Sequence, residues 1–322
     1  MNNILITGGA GFIGSHFVAY IKKQNHPYDK VIILDKLTYA GNLNRIENLL
    51  DDNFIFIHGD ICDRAILEEI FKSYQVETVV NFAAESHVDR SINDVSPFIQ
   101  TNYIGVQNLM DTFKSNWQNN GRFIQISTDE VFGSSKEINL DKNNEKSLLN
   151  PMNPYAATKA SAELLIKSYN NTYNFPGIII RSTNNYGALQ HEEKLIPKVI
   201  QAVLDHKDIP IYGNGDYYRD WLHVLNTCEV IYRVTSESRI HESYNIAGTG
   251  LISNIDLIQM IISLFKEAGH DYHGKLQFVK DRPGHDYCYL VDDTKYLAEF
   301  DIIKTPLKEG LNQLIRTALN LL

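Results

Sequence analysis

The stretch Ile4-Leu5-Ile6-Thr7-Gly8-Gly9-Ala10-Gly11-Phe12-Ile13-Gly14 carries a short apolar run into spaced glycines and then into a segment of helical period, Phe12 to Lys23. Gly8, Gly11 and Gly14 each have a mechanical task. A tight strand-to-helix turn needs positive φ, the backbone must approach a pyrophosphate with no Cβ in the way, and the helix must pack closely on the strand. The helix N-terminus then offers unsatisfied N–H groups and a favourable dipole to phosphate. Glycine-rich turns also occur in unrelated loops, so the context decides. Asp35 closes the next apolar run, Val31 to Leu34, near the offset of about 20 residues at which a carboxylate accepts from an adenosine ribose. A carboxylate there repels a 2′-phosphate and favours NAD over NADP, a preference that the adjacent Lys36 would soften. Asp60, in Gly59-Asp60-Ile61 after a third apolar run, fits an acceptor for the adenine amino group and equally an N-cap for the helix starting near Asp63.

The pattern continues outward from this turn. Strands are expected at Ile4 to Thr7, Val31 to Leu34, Phe54 to Ile57, Thr78 to Phe82, Phe123 to Ser127 and Gly177 to Arg181, each nearly all apolar as in a parallel sheet covered on both faces. Helices are expected at Phe12 to Lys23, Arg64 to Ser73, Pro97 to Lys114 and Pro154 to Tyr173, with Pro97 and Pro154 in first turns. The polar stretch Ser135 to Asn150 reads as a surface loop, not a domain linker. After Tyr186 the alternation weakens and turn signals such as Gly213-Asn214-Gly215-Asp216 separate shorter elements. The expected fold is α/β, a Rossmann-type doubly wound parallel sheet with a smaller, discontinuous C-terminal substrate lobe. Residues 1–185, rejoined by about 222–246, form the dinucleotide-binding domain, and 186–221 with 247–322 form the lobe.

The 322 residues are 43% hydrophobic and 21% charged, with a formal charge of -9, which excludes a disordered chain and argues against a nucleic acid partner. Cys62, Cys228 and Cys288 are far apart and lack metal-ligand spacing, so no metal is expected and a reducing, cytoplasmic setting is. The first residues lack a basic region with a long apolar run, and about 18 apolar residues never occur together, so neither export nor membrane association is expected.

Two clusters carry chemistry. Tyr155-Ala156-Ala157-Thr158-Lys159 places a phenol and an ammonium on one helix face. Such a pair also occurs as a solvated surface feature. Making the phenol a base at pH 7 costs about 4 kcal/mol, at roughly 1.4 kcal/mol per pKa unit, which nearby positive charge offsets. At the exit of the fifth strand stands Thr128-Asp129-Glu130. Strand exits of parallel sheets bind ligands, and adjacent carboxyls repel until one stays neutral while the other ionises. That division supplies one general acid and one general base, which a reaction needs when it removes a proton and expels a poor leaving group. Consecutive strand residues point to opposite faces, so both acids reach one substrate only if the chain is turning there. The alternative is an acidic loop cap.

These residues resemble the extended short-chain dehydrogenase/reductase family, and within it most closely the dTDP-glucose 4,6-dehydratase branch. The likeness covers nearly the whole chain. It runs through Thr7 to Gly14, Leu34 to Asn42, Ala83-Ala84-Glu85-Ser86-His87-Val88-Asp89-Arg90-Ser91, Thr128-Asp129-Glu130, Tyr155 to Lys159, Asn184-Asn185-Tyr186-Gly187, Lys194-Leu195-Ile196-Pro197, Arg219 to Val224 and Arg282-Pro283-Gly284-His285-Asp286.

The resemblance implies a nucleotide-diphospho-sugar substrate and an NAD that stays bound and is regenerated each turnover, contacted also by Ala83 and Ala84. It implies that Tyr155 acts at O4 with Thr128 beside it, that Glu130 takes the C5 proton while Asp129 protonates the departing O6, and that Lys159 holds the nicotinamide ribose. Ser86, His87, Asn185 and Lys194 are implied near sugar and diphosphate, and Arg219, Asn254, Arg282 and His285 around diphosphate and base. Arg219 beside Asp220 also fits a surface ion pair, and Asn254 a helix cap. A homodimer through Pro97 to Lys114 and Pro154 to Tyr173 is implied as well. Departures fall mostly in the lobe: Ala188, Ala247 and Tyr287-Cys288. They leave open a UDP-N-acetylglucosamine 4,6-dehydratase; a 4-epimerase and a non-catalytic NAD-binding regulator are the further alternatives.

Overall fold

The computed structural model describes residues 2–24, 26–117, 121–281 and 285–321. Its strands are β1 (Asn3–Thr7), β2 (Lys30–Asp35), β3 (Phe54–His58), β4 (Val76–Asn81), β5 (Arg122–Thr128), β6 (Gly177–Ser182), β7 (Asn184–Tyr186), β8 (Ile209–Tyr212), β9 (Tyr218–His223), β10 (Ser243–Ile246), β11 (Leu251–Ser253) and β12 (Leu276–Val279). Seven form one sheet in the order β10-β6-β5-β4-β1-β2-β3, with every neighbouring pair parallel. The order reverses between β1 and β4, the switch point where ligands bind in open α/β sheets. The fold is the Rossmann-type doubly wound sheet that the apolar runs predict.

Strand periodicity divides the core. Ile4, Ile6, Val31, Ile33, Ile124, Ile126, Ile178 and Ile180 enter a cluster on one face, whereas Leu5, Ile32, Leu34, Phe123 and Ile179 enter the cluster on the other. The helices are α1 (Phe12–Lys23), α2 (Arg64–Tyr74), α3 (Val88–Asn93), α4 (Ser96–Ile99), α5 (Val106–Asn116), α6 (Pro154–Tyr173), α7 (Leu195–Leu204), α8 (Val224–Glu237), α9 (Asn254–Glu267), α10 (Thr294–Phe300) and α11 (Leu307–Ala318). Helices α1, α8 and α10 cover the first face, and α2, α5 and α6 the second. A third cluster joins β8, α7, α9 and α11. Among the described residues, no helix is long and apolar enough to cross a membrane.

Three details differ from the sequence reading. Phe82 lies past the end of β4. The helix expected over Pro97 to Lys114 is α4 and α5 joined by a π turn at Gln100–Gly105. Asn102 on that turn exchanges hydrogen bonds with both backbone groups of Glu85, each at 2.9 Å, and donates to Thr158 Oγ1 at 3.0 Å. The turn is thus tied to the loop that follows β4, a use found for π bulges at functional sites. Finally, Tyr296, Phe300 and Ile302, read as part of the lobe, pack in the large-sheet core, with Phe300 and Tyr244 on β10 5.5 Å apart.

The polar stretch 135–150 is largely exposed but firmly tied. Ser135 N–H donates to Cys288 O, Asn143 N–H to Leu290 O and Asp292 N–H to Asn143 O. Its side chain Glu145 accepts from Asn245 N–H on β10.

Candidate active site

Gly8 has φ +67°, and a Cβ there would lie 2.6 Å from Ala83 N; one at Gly14 would lie 2.3 Å from Gly8 O. These contacts leave room only for glycine and draw β1, the loop after β4 and α1 together. Helix α1 begins at Phe12 with Gly11 at its N-cap and no side-chain cap, so its first N–H groups remain available to an anion. One cavity here is lined by Gly8, Gly11, Asp35, Lys36, Asp60, Ile61, Ala83 and Ala84. The adjoining one, of about 290 Å³, is lined by Gly8, Gly11, Phe12, Ile13, Gly14, Ala84, Ser86, Thr128, Asp129, Glu130, Tyr155, Lys159, Asn185 and Lys194. Asp35 is oriented by the glycine turn and by its own, accepting from Ala10 N–H at 2.9 Å and Leu37 N–H at 2.7 Å. Lys36 pairs with Asp60 at 2.7 Å. Helix α2 is capped by Asp63, not Asp60. The narrow glycine cradle, the bare helix terminus and a carboxylate at the end of β2 together fit an adenine dinucleotide.

The geometric condition on the two acids is met. Strand β5 ends at Thr128, and Asp129–Phe132 form a 3-10 turn whose cap is Thr128, accepting from Glu130 N–H at 3.3 Å. Gly133 follows at φ +82°, where a Cβ would fall 2.2 Å from Asn150 O. Both acids therefore line the cavity that holds Tyr155 and Lys159. Burial, and then the charge of Glu130, push the Asp129 carboxyl up to about 8, so it is mostly protonated at pH 7. Burial, then repulsion from Glu130 and Asp129, also push the Tyr155 phenol upward. Burial lowers Lys159 to about 8 against the pull of Glu163, and its Nζ donates to Ile126 O at 2.7 Å.

A third cavity, of about 320 Å³, continues from these groups and is lined by Ser86, His87, Glu130, Asn185, Lys194, Arg219, Asn254 and His285. Arg282 lies outside the described residues. Arg219 makes no surface ion pair with Asp220. Its guanidinium is buried, donates to the carbonyls of Tyr218, Asp286 and Tyr287, and sits 4.9 Å over the Tyr289 ring. Asn254 is not the cap of α9, which is Ser253; its Oδ1 is buried with no partner among the described residues. His87 Nδ1 is in the same condition, while Nε2 lies 3.4 Å from Glu193. His285 stacks on Tyr217 with ring centres 3.6 Å apart and meets Asp281 at 2.8 Å. The Asn185 amide is taken up by Ser182, Thr183 and Thr227, which leaves its side chain little capacity for a ligand.

Sequence reasoning missed Asn153, Glu193 and Tyr289, all on this cavity. Asn153 was visible only as the residue before Pro154, where it caps α6 by accepting from Ala156 N–H. Glu193, set among His191, Lys194 and more distant His87 and Arg90, gives no local signal beyond its charged neighbours.

The family model for GDP-mannose 4,6 dehydratase matches residues 5–313. A dTDP-glucose 4,6-dehydratase of Haemophilus influenzae is 41% identical, over 98% of this chain and 97% of that one. The crystal structure of the Bacillus anthracis dTDP-glucose 4,6-dehydratase in complex with NAD is 38% identical with a TM-score of 0.88, covering 99% of this chain and 97% of that one. The Streptomyces venezuelae dTDP-glucose 4,6-dehydratase DesIV, with NAD and dTDP bound, is 39% identical with a TM-score of 0.89 at the same coverage. The chain belongs to the GDP-mannose 4,6 dehydratase family, among the extended short-chain dehydrogenases/reductases.

Proposed function

We propose that this chain is an NAD-dependent hydro-lyase converting dTDP-glucose to dTDP-4-keto-6-deoxyglucose and water. The observation that carries the reading is the convergence of Asp129, Glu130, Tyr155 and Lys159 on one cavity, where burial and the Glu130 charge push the first of these up to about 8. An epimerase has no need of a neutral acid beside a second carboxyl. The near full-length likeness to dTDP-glucose 4,6-dehydratases favours that sugar nucleotide over the UDP-N-acetylglucosamine alternative.

The glycine cradle, Asp35 and the loop at Ala83 and Ala84 would hold NAD, which would supply reversible hydride transfer at sugar C4 and C6. The remaining steps belong to side chains. Tyr155 takes the O4 proton, aided by positive charge that offsets its burial, and Thr128 hydrogen-bonds the same oxygen. Oxidation at C4 acidifies the C5 hydrogen. Glu130 removes that proton while Asp129 gives its own to the departing O6, and water is eliminated across C5 and C6; Glu130 returns its proton to C5 as C6 is reduced, and the proton that Tyr155 took balances the one Asp129 gave up. Lys159 supplies charge near the phenol. Lys194, Arg219, Asn254 and His285 line the nucleotide end.

A dimer through α4, α5 and α6 is part of the proposal, supported by Ile99 and Leu164, which are 45% and 57% exposed on those helices. The three free thiols suit a reducing, cytoplasmic setting.

The test is incubation of the purified protein with dTDP-, UDP- and GDP-sugars, reading products by mass. Loss of one water from dTDP-glucose is the expected result; an unchanged mass with inverted C4 would establish an epimerase instead. Glu130→Gln should keep nucleotide and NAD binding while dehydration falls by about 10²-fold or more. Undiminished turnover would remove Glu130 as the base.

A further inference from the structure

Glu130 must be an ionised carboxylate aimed at one carbon–hydrogen bond, yet it stands on a short turn at a strand end. Among the described residues, side chains from two other parts of the chain approach it. Asn153 Nδ2 donates to Glu130 Oε2 at 3.0 Å, and the Tyr289 hydroxyl lies 3.4 Å from the same oxygen. The same two donors also face Asp286 Oδ2, at 3.4 Å from Asn153 and 2.5 Å from Tyr289. Tyr289 and Asp286 are buried, and Arg219 fixes their segment by donating to the carbonyls of Asp286 and Tyr287.

We infer that Asn153 and Tyr289 are positioning residues for Glu130, bridged through Asp286 so that the segment following His285 sets the direction of the proposed base. Asn153 serves twice. Its Oδ1 caps α6, the helix bearing Tyr155 and Lys159, while its Nδ2 holds Glu130. One amide thereby fixes the spacing between the groups proposed to act at O4 and at C5. A hydrogen bond to an ionised oxygen is also the stronger kind; Asn153 makes it to Glu130, while the single Tyr289 proton goes to Asp286 and anchors the carboxylate that the other Asn153 N–H faces. The inference rests on the dehydratase reading above.

The test isolates proton transfer at C5. The 4-keto product has an acidified C5 hydrogen, so the enzyme in D2O should exchange it through Glu130 without any change at C4 or C6. Exchange is followed by NMR for wild type, Glu130→Gln, Tyr289→Phe and Asn153→Ser, the last keeping an uncharged oxygen for the α6 cap. Tyr289→Phe and Asn153→Ser should slow exchange about ten- to a hundredfold, and lower kcat alike, with KM, product affinity and melting temperature little changed. Exchange at the wild-type rate in both variants, with Glu130→Gln inert, would overturn the inference and leave the proposed function standing. Undiminished exchange in Glu130→Gln would remove Glu130 as the base, and the inference with it. A fall in product affinity or melting temperature matching the fall in exchange would reduce the two residues to a structural part and overturn the inference as well.

Discussion

Asp129 carries a conflict between stability and chemistry within a single side chain. The unfolded chain releases this proton near pH 4, whereas the folded protein keeps it to about 8 because burial and the Glu130 charge oppose ionisation. Between those values the folded state binds the extra proton, so its stability declines as pH rises, by at most about 1.4 kcal/mol per pH unit, and levels off above about 8. A neutral amide at this position carries no such penalty. Asp129→Asn should therefore melt higher than wild type by a margin that grows from pH 4 to pH 8, while dehydration is lost for want of a transferable proton. Thermal melts across pH 4–9 check this; a margin independent of pH would show that Asp129 ionises normally in the fold. The pair of adjacent acids was legible in the sequence as a chemical signal. Which of them stays neutral came only from the resemblance, because it depends on burial and on the 3-10 turn, neither of which local composition encodes.

At the scale of elements, helix α6 shows what periodicity reveals and what it hides. Its bounds, Pro154 to Tyr173, follow from the cap, the proline and the apolar spacing, and the sequence reading coincides with them. Its buried acid did not declare itself. Glu163 stands one turn beyond Lys159 with no exposure at all, bonded to Arg181 on β6 through Nε and a 2.7 Å contact from Nη2, and accepting from Ser127 Oγ at 2.6 Å. A Glu in a helix reads as a solvent-facing residue until its arginine partner is known, and the pairing spans β6 and α6, which only the fold brings together. Glu163→Ala strands the guanidinium in the core and should destabilise the protein by about 3–5 kcal/mol, whereas Glu163→Leu combined with Arg181→Met should recover most of that. Denaturant unfolding of the single and double variants decides it: equal losses in both would mean that packing, not the stranded charge, sets the effect. The π turn was hidden for a related reason, since Asn102 on it is bonded to Glu85 in a different loop, a contact that helical periodicity does not register.

Across the whole molecule the cavities join end to end, from Asp35 and Asp60 through the acids and the phenol to Arg219, Asn254 and His285. The first part was legible because a parallel sheet writes itself as apolar runs and its switch point as glycines. The far part was not, because β7, β9 and β11 pair across long sequence intervals in short, mixed segments. This layout separates binding from chemistry by distance along one cleft, and the two lobe residues Arg219 and Asn254 test that separation from opposite sides. Arg219 spends its donors on the backbone that carries Asp286 and Tyr289, so it reaches the acids indirectly. Asn254 has a buried Oδ1 with no partner among the described residues and no hold on the catalytic turn. Asn254→Ala should therefore raise KM by about five- to tenfold, the worth of one neutral hydrogen bond, with kcat unchanged and stability equal or higher, since an unsatisfied oxygen is removed. Arg219→Lys should instead lower kcat as well as raise KM, because a lysine cannot bridge two carbonyls in a planar fork or stack on Tyr289. Steady-state kinetics with dTDP-glucose separates the cases, and a fall in kcat for Asn254→Ala would show that the nucleotide end and the reacting end are not independent parts of the cleft.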